Sequence, residues 1–136
     1  MANGLYDAGR AGFLGATIDW DTDTIKAILV DTATYTVNLA THANLSDIPA
    51  GARVGTAVTL ASKTVTAGVA DAADISFTGL SAAPTIEALA IYKDTGVETT
   101  STLIAYIDTA TGLPVAAGAT QVDVLFDNGA NKIFKL

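Results

Sequence analysis

The chain has 136 residues, half of them hydrophobic, with 14 acidic against 7 basic side chains and a formal net charge of −7. That length is about one domain, large enough to bury roughly two-thirds of the surface its unfolded chain exposes. The absence of cysteine excludes disulfides and thiol chemistry, and the dispersed bases (Arg10, Lys26, Arg53, Lys63, Lys93, Lys132, Lys135) lack the basic footprint that nucleic acid requires.

Thr, Ala and Val dominate while Glu, Gln, Lys and Arg are scarce, which favours pleated, half-buried surfaces. The fold class predicted is all-β: an antiparallel β-sandwich or jelly-roll-like barrel with a short N-terminal helix or arm. No apolar run approaches the ~18 residues of a membrane span. The opening MANGLYDAGR lacks the basic-then-apolar order of a signal peptide.

Residues 1–17 read as a separate arm or short helix, and 18–136 as a single β domain. Leu5, Tyr6, Gly9, Phe13 and Leu14 fit one face of a short helix. Gly9 and Gly12 each cost such a helix about 1 kcal/mol relative to Ala. The arm is therefore expected to need a surface to lie on, and Leu5, Tyr6, Arg10, Phe13 and Leu14 are the candidate partner-binding residues. A β body is expected to stay folded without residues 2–15.

Asp19, Asp21 and Asp23 alternate like the opening of a calcium loop, but Thr24 and Val30 stand where that loop needs Gly and Glu. A polar turn is the expected structure, with Asp side chains bonding nearby backbone N–H groups and Trp20 as a core plug. Residues 24–31 predict the first strand of the main sheet, ending in Asp31-Thr32-Ala33-Thr34. Tyr35–Leu39 reads as a short extended piece. Thr41 is a candidate N-cap for one helical turn over 42–47, with an exit at Pro49-Ala50-Gly51 and His42 at the surface or capping.

Strands are predicted near 56–61, 63–67 and 72–78, with Ile75 and Phe77 facing in and Asp74, Ser76 and Thr78 facing out. Two apolar runs follow, Ile86–Tyr92 and Leu103–Ile107, joined by KDTGVETTST. Both faces of each run are apolar, so the two predict a hairpin in mid-sheet, covered on both sides. Strict alternation sets Leu103 and Ile107 on one face, opposite Ile104 and Tyr106. Leu89, Ile91, Leu103, Ile107 and Phe126 are the predicted core.

The end of the chain reads as another hairpin. A three-residue loop at 128–130 sets Val124 opposite Phe134, Val122 opposite Leu136 and Asp123 opposite Lys135. Those pairs, worth roughly 0.2–1 kcal/mol each, outweigh the alternative two-residue Asn128-Gly129 turn.

No catalytic residues are identified. One histidine, no cysteine and no G-x-S-x-G leave no base–nucleophile pair, and no phosphate loop, dinucleotide fingerprint or zinc spacing is present. The expectation is a protein without enzymatic activity, metal or cofactor.

Several stretches together resemble a family of small virion structural proteins of tailed bacteriophages and prophages. These are D-T-I-K-x-x-L-V at 23–30, T-H-x-x-L-S-D-I at 41–48, A-x-x-I-Y-x-D-T-G at 88–96, L-I-A-Y-I-D at 103–108 and the closing I-F-K-L. The resemblance covers nearly the whole chain and carries strands and turns, with no catalytic signature. It departs after Leu5-Tyr6-Asp7, where relatives have a charged, helix-forming segment and this chain has Ala-Gly-Arg-Ala-Gly.

The pattern is similar to capsid cement, or decoration, proteins. It implies a partner, the major capsid protein, and a homo-oligomer, a trimer at threefold positions of the shell. It also implies synthesis in the host cytoplasm, residence on the capsid exterior, and no dealings with nucleic acid or membrane. A second reading is another virion part, a tail or head-fibre module. A third is a carbohydrate-binding β-sandwich using Tyr6, Trp20, Tyr35, Tyr92 and Tyr106 as stacking platforms.

Overall fold

In the computed structural model, which describes residues 3–136, the two apolar runs pair as β7 (Ala88–Lys93) and β8 (Leu103–Ile107). They lie inside a five-stranded antiparallel sheet. β1 (Gly4–Leu5) flanks β8, β2 (Ile25–Val30) flanks β7, and β3 (Arg53–Thr59) closes the far edge. Leu89 and Ile91 on one face and Ala88 and Ala90 on the other are all fully buried, because the sheet is covered on both sides.

One cover consists of two small sheets. β4 (Thr64–Thr66), β5 (Val69–Asp71) and β10 (Phe134–Lys135) form one, in the order β10-β5-β4. β6 (Ile75–Phe77) and β9 (Val122–Val124) form the other. Their inward residues, among them Ala70, Ile75, Phe77, Val122 and Val124, meet Ile25, Leu29, Leu89, Ile91 and Ile107 of the large sheet. The opposite cover is the segment between β2 and β3, which sets Tyr35, Leu45, Ile48 and Ala52 against Ile28, Val30, Ala90 and Tyr106. The protein is all-β with one short helix, α1 (Asp7–Leu14), and all five predicted core residues are buried.

Several details differ from expectation. Ile104 is an extra residue in β8: Ile91 faces Ala105, yet Tyr92 faces Leu103. This bulge breaks the alternation, so Leu103 joins Tyr106 on one face while Ile104, Ala105 and Ile107 share the other. The expected hairpin at 122–136 does not form. β9 pairs with β6, setting Val122 against Phe77 and Val124 against Ile75, while β10 pairs with β5, setting Phe134 against Ala70. Those distant apolar partners, with the Phe126 N–H donating to Asp74 Oδ1 at 2.8 Å, override the local Asn-Gly signal.

β5 lies between the strands predicted near 63–67 and 72–78. It forms because Ala67 and Gly68 both take positive φ, the twist that a two-residue hairpin turn needs. Tyr35–Leu39 is not a strand; the Asn38 side chain instead accepts from the N–H groups of Ala40 and Thr41. The helical turn after it is shorter than expected, a 3-10 turn over Leu45–Asp47 capped by Asn44 rather than Thr41.

Candidate functional site

Helix α1 is built around its glycines. Gly9 and Gly12 form its buried face and lie against β8 and Ile18. Upstream of the helix, β1 pairs Gly4 with Tyr106 and Leu5 with Ala105, and the Tyr6 N–H donates to the Ile104 carbonyl at 2.9 Å. The N-terminal segment is thus hydrogen-bonded into the main sheet; Met1 and Ala2 of the expected arm lie outside the described residues. Leu5 and Tyr6 belong to the chain's own core, whereas Phe13 is half-buried and Arg10 and Leu14 are exposed.

Residues three and four apart are neighbours on a helix surface, so Arg10, Phe13 and Leu14 form one stripe. Phe13 turns from this stripe into an apolar groove with a volume of about 340 Å3, lined chiefly by Phe13, Ile18, Trp20, Val65, Phe134 and Leu136. The Phe134 ring is its centre: Trp20 meets it edge-on at 5.2 Å and Phe13 at 5.7 Å. Val65 and Leu136 are more than half exposed, and Leu14 is 90% exposed. A cluster of open apolar side chains on one surface of an otherwise well-covered body is the composition of an interaction site.

The groove is rigidly made. The Trp20 indole N–H donates to the Asp71 carbonyl at 3.1 Å. The turn carrying Trp20 uses its carboxylates on the main chain: Asp19 accepts from the N–H groups of Asp21 and Thr22, and Asp23 from that of Asp19. The Asp19 N–H is the chief reason the Asp23 carboxyl stays below the usual range; burial opposes it, and Lys93 at 3.0 Å adds to it. Among the described residues, no three His, Asp or Glu side chains gather as a metal site would need, and no helix is long and apolar enough to cross a membrane.

The basic side chains are unevenly partnered. Lys26 pairs with Asp94, Arg53 with both carboxylate oxygens of Glu98, Lys93 with Asp23 and Lys132 with Asp71, while Lys63 donates to the Asp23 carbonyl. Among the described lysines and arginines, only Arg10 and Lys135 have neither an ion pair nor a side-chain hydrogen bond. Lys135 alternates with Phe134 and Leu136 along the chain and so projects from the other face of its small sheet. Among the described residues, that leaves Arg10, on the helix that lends Phe13 to the groove, as the free cation on this side.

A second cluster lies under the opposite cover. The Tyr6 and Tyr35 hydroxyls share a hydrogen bond at 2.9 Å, and Tyr35 bonds His42 Nδ1 at 2.9 Å. His42 Nδ1 also accepts from the Asn38 N–H at 3.2 Å, so this chain of groups pins the covering segment to the sheet. The five rings considered as sugar platforms, Tyr6, Trp20, Tyr35, Tyr92 and Tyr106, are all buried.

Of the candidate residues named from sequence, the structure brings Arg10, Phe13 and Leu14 together and places Leu5 and Tyr6 elsewhere. Trp20, Val65, Phe134 and Leu136, which complete the groove, come from three other segments that no spacing rule connects. Comparison with known protein families and with curated proteins finds no match for this chain.

Proposed function

We propose that the protein is a bacteriophage capsid cement protein, a non-catalytic virion component that binds the outside of the assembled head and holds neighbouring capsid subunits together. The observation that carries this reading is the apolar groove of Phe13, Trp20 and Phe134, with Leu14 exposed on the helix that lends it Phe13. It is a docking surface on a body whose other apolar side chains are largely spent on its own core. The resemblance of the strand and turn pattern to decoration proteins supplies the partner, the major capsid protein, and the trimer. A protein that binds the assembled lattice and not free subunits stabilises the lattice by mass action, and a net charge of −7 favours solubility before assembly.

The test uses empty heads of the encoding phage or prophage. The wild-type chain is expected to co-sediment with expanded heads, to saturate, and to raise the temperature at which they fall apart. Leu14→Ser should weaken decoration without moving the melting temperature of the free protein. Failure of the wild type to bind or protect such heads would end this reading.

A further inference from the structure

The exposed stripe of α1 combines two chemistries. Leu14 and the half-buried Phe13 offer an apolar contact that leads into the groove. Arg10 stands one helical turn before Leu14 and offers a guanidinium that no carboxylate occupies among the described residues. In a chain with twice as many acids as bases, a free arginine is the exception. Asp7, three residues before it on the same helix, does not pair with it. Arginine is the side chain best shaped to grip a carboxylate through two parallel N–H bonds.

We propose that this stripe and groove dock a peptide segment of a partner protein in which an Asp or Glu stands within one helical turn, or two extended residues, of a large apolar side chain. The apolar side chain fills the space between Phe13, Trp20 and Phe134, and the carboxylate meets Arg10. On the cement reading, on which this identification of the partner rests, the segment belongs to the shell protein. Charge complementarity sets the choice of occupant. A two-fold contact between copies centred on the stripe would place Arg10 near its own counterpart and leave it without a carboxylate.

The full-length protein is used to select from a displayed library of random 12-residue peptides, and the best binders are synthesised and titrated against four proteins. These are the wild type, Arg10→Glu, Leu14→Ser, and Lys135→Glu as a charge reversal on the other face. The selected peptides are expected to carry Asp or Glu beside Leu, Ile or Phe. Arg10→Glu and Leu14→Ser are each expected to weaken binding by about tenfold or more, and Lys135→Glu by less than about twofold. Unchanged melting temperatures show that the variants fold.

The proposal is overturned by a library without enrichment, by enrichment of basic or uncharged peptides, or by equal effects of Arg10→Glu and Lys135→Glu. Self-association that Leu14→Ser dissolves, with no peptide captured, would assign the groove to a second copy and also overturn it. The two readings fail separately. Heads that take up the wild type and Arg10→Glu alike keep the cement function and remove this inference. Peptides captured through Arg10 by a protein that no head takes up support the docking site and remove the cement function.

Discussion

Gly9 lies so close to Ile104 that a β-carbon added to it would stand 2.8 Å from the Ile104 Cα. The Leu103 and Ile104 carbonyl oxygens would lie at 2.9 and 3.0 Å. All three atoms are backbone of β8, a strand held on both sides, so none can give way. Two glycines in eight residues weaken α1 as an isolated helix, and they are also what lets it lie flat on the sheet.

Gly9→Ala therefore sets two effects against each other. Propensity favours the alanine by about 1 kcal/mol, and overpacking against a fixed backbone costs about 1–3 kcal/mol. The expected outcome of urea unfolding is a net loss of stability. At Gly12 the nearest atoms are Cδ1 and Cγ1 of the buried Ile18 side chain, which must shift within the core, so Gly12→Ala is also expected to lose stability, though less than Gly9→Ala because the opposing atoms are side chain rather than backbone. A stabilised Gly9→Ala protein would mean that the helix does not sit where the structure places it.

Deleting residues 2–15 removes more than an arm. It takes away β1, uncovers the edge of β8 and withdraws Leu5 and the fully buried Tyr6 from the two cores. Burial of one such side chain contributes about 1.5–3 kcal/mol, a large share of a small domain's net stability. The truncated protein is expected to melt far below the wild type or to be recovered unfolded, as circular dichroism would report. This differs from the expectation drawn from sequence, in which the body folds alone. Arg10→Glu and Leu14→Ser, both at exposed positions, are the variants that separate docking from folding.

Some of this was legible in the sequence for physical reasons. β7 and β8 are apolar on both faces, and only a doubly covered strand tolerates that. Ile75 and Phe77 alternate with polar residues and are indeed the buried pair of β6. The closing segment was not legible, because Asn128-Gly129 is a local signal while the partners of Val122 and Phe134 lie at Phe77 and Ala70, some 45 to 65 positions earlier in the chain. The bulge at Ile104 was hidden too, since any of the residues from 103 to 107 could have been the extra one. The stripe of Arg10, Phe13 and Leu14 follows from helical spacing, whereas its continuation through Trp20, Val65 and Phe134 exists only after folding.

Acid should loosen the cover over Tyr35 and His42. Asp47 accepts from the N–H groups of Ala43 and Asn44 at 2.7 and 2.9 Å. The Asn44 and Ala43 N–H groups hold its carboxyl below the ordinary aspartate value, against a smaller opposing effect of burial. A lowered folded value means that the fold binds the anion preferentially. The contribution is present above the unfolded value of about 3.9 and is lost as the pH falls through the folded one. Asp94, held down chiefly by its bond from Lys26, acts in the same direction. Asp47→Ala is expected to cost about 1 kcal/mol near neutrality, and the gap from wild type should close as the pH falls from about 5 into the acid range. A gap that stays constant across that range would remove Asp47 from the acid response.

The alkaline limb belongs to the tyrosines. The chain has four, and all are buried. Burial, the largest cause in each case, raises every phenol above its ordinary value. Tyr6 is displaced furthest, with its bond to Tyr35 adding to burial; Tyr106 is pushed up to about 12, with Asp108 adding to burial. For Tyr35 the bond from Tyr6 partly offsets burial, and for Tyr92 the nearby Asp94 reinforces it. A raised folded value means that the fold prefers the neutral phenol. The stability it contributes is complete below the unfolded value of about 10 and is lost as the pH rises through the folded one. In a spectrophotometric titration, little phenolate is expected while the circular dichroism stays native, followed by ionisation of the tyrosines together as the chain unfolds. Tyr35→Phe removes the hydroxyl that links Tyr6 to His42 and should cost about 1–3 kcal/mol, moving that alkaline transition to lower pH. A phenol that ionises reversibly near pH 10 with the fold intact would contradict the burial of the Tyr6–Tyr35–His42 chain and the covering of the sheet that depends on it.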